Sequence, residues 1–179
     1  MIRPAIPDDV PGIARVHVDT WRTAYEGILA PSFLSALKYE SREEMWQQIL
    51  ASPSAESHLI VAVSGQNELI GFASGGASRY PKFPYTGEIN AIYLRKAFER
   101  QGIGRAMLLR SLTLIYKAGF QSAMLWVLRD NPAVEFYRRL EAVEFSSKVD
   151  QVGGKEVEEI AMGWADVSFS VKNIRSKIR

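Results

Sequence analysis

The stretch Tyr93-Leu94-Arg95-Lys96-Ala97-Phe98-Glu99-Arg100-Gln101-Gly102-Ile103-Gly104-Arg105 leads from a strand-like segment through a basic turn into a helix whose first residues include two glycines. In elementary terms this is an anion site. The unpaired N–H groups of a first helical turn point outward, the helix dipole favours negative charge, and glycine removes the Cβ that would hold a phosphate off the backbone. Arg100 and Arg105 add positive charge. A glycine pair also serves a tight turn or close packing, so the surroundings decide. There is no Gly-Lys-Ser/Thr of a Walker loop, and no third glycine with a downstream acidic residue as in a dinucleotide-binding fingerprint.

Upstream, residues 2–6 read as a short strand, and Pro7-Asp8-Asp9 opens a helix with an acidic first turn. That helix runs to about Tyr25, with Val10, Ile13, Ala14, His17, Trp21, Ala24 and Tyr25 at spacings of three and four, and ends at Gly27. Residues 31–37 and 41–50 give two further helical pieces. The period then changes to two over residues 58–64, 69–74 and 86–94, with Ser64-Gly65-Gln66-Asn67-Glu68 as a hairpin signal, which makes an antiparallel meander.

Downstream of the glycines, Met107, Leu108, Leu112 and Ile115 point inward and Gly119 stands where a left-handed residue ends a helix. Residues 123–128 form an apolar run without polar alternation, which suits a central strand covered on both faces. Asn131-Pro132 opens another helix, Asn as N-cap and Pro at the first position. Residues 144–149 and 156–164 read as a closing pair of strands around Gly153-Gly154. The order is β-α-α-α-β-β-β-α-β-α-β-β, with residues 1–166 as one domain. Residues 167–179, carrying Lys172, Arg175, Lys177 and Arg179, read as a frayed or loosely docked basic tail.

This order and the motif together resemble the GNAT N-acetyltransferase superfamily, whose cofactor motif is Gln/Arg-x-x-Gly-x-Gly/Ala at this strand-to-helix turn. The resemblance covers nearly the whole chain and rests on three segments at the right spacing: Glu88-Ile89-Asn90-Ala91-Ile92-Tyr93-Leu94, Gly102-Ile103-Gly104, and Asn131-Pro132-Ala133-Val134-Glu135-Phe136-Tyr137. It implies an α/β (α+β) fold, a mixed, mostly antiparallel central sheet of about seven strands flanked by helices. The implied donor is acetyl-CoA, with its pyrophosphate on Arg100, Gln101, Gly102, Ile103, Gly104 and Arg105. The backbone of Ile92, Tyr93 and Leu94 would carry the pantetheine where the fourth and fifth strands splay, and an N–H of that stretch would be the oxyanion donor. Glu99 stands at the first motif position, where the family usually has Gln or Arg, so no side-chain role is expected there.

An alkylammonium with a pKa of about 10.4 offers little free amine at pH 7, and making it costs roughly 4 to 5 kcal/mol, so a base is useful. By the resemblance Glu88 is that base; the competing reading is a solvated strand-end carboxylate. Tyr137 would protonate or hydrogen-bond the departing thiolate, although its spacing from Val134 and Leu140 also suits a core aromatic. Asn131 is either a contact to coenzyme A or simply the cap. For the acceptor, Trp21 and Tyr25 share a helical face, and Arg79-Tyr80-Pro81-Lys82-Phe83-Pro84-Tyr85 brings Phe83 and Tyr85 next to the catalytic strand. Core packing competes for the first pair; loop aromatics point to binding.

Other classes of function fall away. The 179 residues contain no cysteine, which excludes a thiol nucleophile, disulfides and thiolate metal sites, and neither His17 nor His58 has a second ligand at metal spacing, so no metal is expected. Lys and Arg total 22 against 20 Asp and Glu, and a net charge of +2 gives no general drive toward nucleic acid or a membrane surface. With no apolar leader and no stretch near the roughly 20 apolar residues of a membrane span, a cytoplasmic protein is expected. The expected activity is transfer of acetyl from acetyl-CoA to a primary amine of a small molecule by direct attack. A protein or peptide amine is the alternative, which would call for an open acidic groove; a non-catalytic acyl-CoA-binding regulatory module is another. Monomer and homodimer are both left open.

Overall fold

The computed structural model describes residues 1–52 and 54–176. The period-two segments form the expected meander: β2 (His58–Val63), β3 (Leu69–Ala77) and β4 (Gly87–Leu94) pair antiparallel in turn, with β1 (Ile2–Pro4) outside β2. β5 (Ala123–Leu128) joins β4 in parallel, and the hairpin of β6 (Val143–Val152) and β7 (Lys155–Trp164) completes a seven-stranded sheet in the order β1-β2-β3-β4-β5-β7-β6. This is the mixed, mostly antiparallel α/β architecture that the resemblance implies.

Helices cover both faces, because each has one apolar stripe to bury. On one side lie α1 (Val10–Ala24), α2 (Pro31–Ala36) and α3 (Tyr39–Ala51). Val10, Ile13, Val16 and Trp46 pack there on Val61, Val63 and Phe72. On the other side α4 (Ile103–Lys117) sets Met107 on Ile60, Ile70 and Ala73, and Leu108, Leu112 and Ile115 on Ile89 and Leu125. The short α5 (Ala133–Arg139) joins that core through Val134 and Tyr137. β5 is apolar throughout because it is covered twice: Leu125 and Val127 face the α4 side, and Leu128 packs with Tyr25, Leu29 and Leu34.

The basic tail is corrected. Residues Val167–Ser176 form α6, whose Val167, Val171 and Ile174 are buried against the α4 core. These sit at i, i+4 and i+7, and burying each contributes about 2 kcal/mol, enough to dock the segment despite its charge. Lys177 and Arg179 lie outside the described residues.

Three irregularities shape the space beside β4. Ala91 pairs with Ser74 and Ile89 with Gly75, which leaves Asn90 as the extra residue of a β-bulge. Because of it Ile89 and Ile92 both reach the α4 side, while Ala91 and Tyr93 face α1 and α3. Second, β4 and β5 pair only at Gly87 with Ala123 and Glu88 with Met124, and then part. Third, the β6–β7 turn folds onto α2. A Cβ on Gly153 would stand 2.2 Å from Phe33 Cγ, so only glycine allows the approach, and Lys155 Nζ donates to the Ile28 carbonyl at 2.5 Å.

No helix among the described residues is long and apolar enough to cross a membrane.

Candidate active site

The expected donor side is built of backbone. Past Glu88 the edge of β4 that faces β5 has no strand to pair with, so alternate N–H and C=O groups of Ile92, Tyr93 and Leu94 are open on that edge. The chain then turns through Arg100 (φ 61°) and Gly102 (φ 81°) into α4. A left-handed Arg is a costly conformation that the surroundings must hold, and such strain gathers at functional sites. The first intrahelical bond runs from the Ala106 N–H to the Gly102 carbonyl at 3.0 Å, so the N–H groups of Ile103 and Gly104 have no partner within the helix. A Cβ on Gly104 would meet nothing closer than Phe136 at 3.7 Å, which leaves the backbone approachable. Gln101 folds back onto the Ala97 carbonyl at 3.2 Å, so its side chain braces the turn. Unpaired N–H groups at the end of a 15-residue helix fit a pyrophosphate.

Three phenols and an amide meet at the splay. The Tyr25 hydroxyl stands close enough to the Tyr93 phenol and the Asn131 side chain for each to act on its ionisation. Asn131 also caps α5, its Oδ1 accepting from the Ala133 N–H at 2.8 Å. The ring of Tyr137 is 6% exposed and stands edge-on to Phe136 and Trp164 in the core. Burial, with the nearby Tyr93 phenol, holds the Tyr137 pKa above the usual tyrosine value. Burial also raises Tyr25 and Tyr93. All three therefore remain donors at neutral pH. The indole N–H of Trp21 approaches the Tyr93 phenol without closing a bond of full geometry.

Glu88 is not solvated. It is 1% exposed and both oxygens are occupied: Arg79 Nη2 donates to Oε1 at 2.6 Å, while Arg79 Nε (3.1 Å) and the Arg79 backbone N–H (3.0 Å) donate to Oε2. With its amide oxygen turned to the same guanidinium, Asn90 accepts at 3.2 Å. The Arg79 side chain itself is 64% exposed. An amine can reach Glu88 only where Arg79 has swung aside.

Across β4 from the α4 core lies a cavity of about 580 Å³, walled by His17 and Trp21 of α1, Arg42 and Trp46 of α3, β3, and Asn90 and Tyr93 of β4. Trp46 Nε1 donates to His17 Nδ1 at 3.1 Å, and burial together with Arg42 depresses the His17 pKa to about 3, so the ring is neutral with its proton on Nε2. Burial and Arg110 lower His58, another wall residue, to about 4. Of the four acceptor residues expected from sequence, only Trp21 lines this cavity. Tyr25 is buried beside it. Phe83 and Tyr85 pack elsewhere, on Trp126 and Phe145 and against Gly163, and cover the β5–β7–β6 part of the sheet.

Sequence reasoning missed Arg79, Arg42 and Asn90. The bulge left one signal: Ile89 and Ile92 are an odd number apart, yet both are the inward residues of one strand.

Comparison with known proteins agrees with the geometry. The model of the acetyltransferase (GNAT) family matches residues 18–141. The N-acetyltransferase YuaI of Bacillus subtilis, itself uncharacterised, is 35% identical over 167 residues, covering 93% of this chain and 94% of that one. The spermidine N(1)-acetyltransferase of Thermoplasma acidophilum is 24% identical over 132 residues, 73% of this chain and 79% of that one. Among solved structures, the PaiA N-acetyltransferase of Thermoplasma acidophilum in complex with coenzyme A superposes with a TM-score of 0.70 at 20% identity, over 92% of this chain and 98% of that one. The chain belongs to the acetyltransferase (GNAT) family and is an acyl-CoA-dependent N-acetyltransferase.

Proposed function

We propose that the enzyme transfers acetyl from acetyl-CoA to a primary amine of a small molecule by direct attack. One observation carries this reading: β4 and β5 part just after Glu88, with the N-terminal end of α4 at one end of the gap and an aromatic-walled cavity beside it. That the PaiA enzyme of similar fold was solved with coenzyme A supports the choice of donor.

Acetyl-CoA, when bound, supplies an acyl group on a thioester. The N–H groups of Ile103 and Gly104 at the start of α4, with the charge of Arg100 and Arg105, hold the pyrophosphate, and the free edge of Ile92, Tyr93 and Leu94 aligns the pantetheine. An N–H on that edge stabilises negative charge developing on the acyl oxygen. Asn131 fixes the start of α5 beside the Tyr25 phenol. Tyr137, kept protonated by burial, gives its proton to the departing thiolate. Glu88 accepts the proton of the incoming amine once the exposed Arg79 swings off. A cavity wall that includes Arg42 and has no acidic groove favours a small molecule over a peptide.

The test is release of coenzyme A thiol from acetyl-CoA across a panel of amines. Tyr137→Phe is expected to lower kcat about 10²-fold with coenzyme A binding unchanged. Tight coenzyme A binding without thiol release from any amine would instead indicate a non-catalytic module.

A further inference from the structure

Arg42 lines the cavity and makes no ion pair among the described residues. Its one polar contact is with Met45 Sδ at 4.0 Å, and its guanidinium carbon lies 5.8 Å from the centroid of the Trp21 ring. The charge reaches deep into the site, since it lowers the pKa of His17 and acts on the Tyr93 phenol of β4. Among the described residues no other charge in the wall answers it. Arg79 is neutralised by Glu88, His17 and His58 are neutral, and no carboxylate side chain is among the wall residues. Glu159, the acid whose charge acts on the Tyr93 phenol, is already matched with Lys148 at 2.8 Å. The remaining wall is apolar, with Met45, Ile49 and Leu50 on α3.

A pocket with one unmatched guanidinium beside aromatic and aliphatic walls is complementary to a small anion on an apolar body, and hostile to a second cation. We infer that the acceptor is an amine that also carries a carboxylate, an amino acid or close relative with an apolar side chain, and that Arg42 is the residue that reads the carboxylate. This deepens the proposed transferase reading and rests on it for the amine. It departs from the polyamine in the name of the Thermoplasma relative, which carries several cations and no anion. The volume of about 580 Å³ leaves ample room for such a ligand.

The experiment has two arms, each run on the parent and on Arg42→Met, which keeps the stem and removes the charge. In the first, thiol release is measured with L-methionine, L-phenylalanine, their carboxamides and spermidine. The free acids are expected to exceed the amides by about tenfold or more in kcat/KM, with spermidine last, and Arg42→Met to bring acid and amide within about threefold. In the second, binding of N-acetyl-L-methionine and its amide is followed by tryptophan fluorescence, Trp21 and Trp46 being in the wall. The same charge preference is expected in the parent and its loss in the variant, with coenzyme A affinity unchanged in both. Acid and amide turned over alike, or spermidine ahead, overturns the inference and leaves acetyl transfer standing. Arg42-dependent binding of the N-acetyl acid without thiol release from any amine would remove the transferase reading and leave the carboxylate pocket. Binding that ignores the carboxylate overturns the inference whatever the turnover.

Discussion

The two sides of β4 are built by opposite means. The proposed donor side is a contiguous run, Ile92 to Arg105, whose exposed groups are backbone N–H and C=O made available by a missing strand partner and a helix end. The proposed acceptor side takes single side chains from α1, α3, β2, β3, the β3–β4 loop and β4. A backbone site is indifferent to most side-chain changes and sensitive to whatever blocks access; a side-chain site is the reverse. One half can therefore stay constant across acetyltransferases while the other is free to select the acceptor.

The contrast can be attacked first at Gly104. Space above it admits a small substituent, so Gly104→Asp should fold while placing a like charge where the pyrophosphate belongs. Coenzyme A affinity by calorimetry is expected to fall at least about 100-fold, close to 3 kcal/mol, with far-UV dichroism unchanged. A variant that binds normally would mean that α4 is not the anion site.

A smaller effect sharpens the acceptor half. Arg79→Met leaves Glu88, 1% exposed, without its cation, whereas Glu88→Gln keeps a neutral acceptor for Arg79. The first should cost about 2 to 3 kcal/mol in denaturant unfolding and the second clearly less. Equal losses would argue that the pair is already solvated.

Gly153→Ala drives a Cβ into Phe33 at a backbone angle of φ 59°. The expected cost is about 1 to 2 kcal/mol, with the acceptor KM raised and the coenzyme A affinity untouched, since the hairpin closes on α2 and not on α4. A parallel loss on both substrates would show that the halves are coupled.

The smallest effect concerns pH. His17 is held at about 3 in the folded chain, chiefly by burial and then by Arg42. An unfolded histidine titrates near 6.5, so between these values the unfolded chain binds the proton and the folded one does not. Stability must then fall as pH drops below about 6.5, by roughly 1.4 kcal/mol for this residue at pH 5.5. Thermal unfolding of His17→Gln should show a shallower decline over that window. Slopes that match would mean that His17 takes up a proton without unfolding.

How legible all this was depends on the range over which each feature is encoded. The limits of β5 coincide with the apolar run of residues 123–128, and the turn into α4 could be placed from its glycines, because strand burial and helix capping are local matters. β3 runs three residues beyond the expected 74, since Gly75 and Gly76, which look like a stop, are paired with Ile89 and Glu88. α6 was hidden because three apolar residues spaced among Lys, Arg and Ser make a stripe only when a groove receives them. Arg79 stood in a run of aromatics that drew attention to Phe83 and Tyr85, and nothing in its neighbourhood signals a carboxylate nine residues on.

The sequence by itself determined the glycine turn into α4, the order of elements and the absence of any cysteine chemistry, since these rest on backbone geometry and composition within a short stretch. Only the tertiary structure decided that β4 and β5 part after Glu88, that Glu88 faces Arg79, and that Arg42 stands unmatched in a cavity with Trp21 and His17. Those facts depend on which surfaces meet across the sheet, and pairing between distant residues is set by packing of the whole domain and by no local preference.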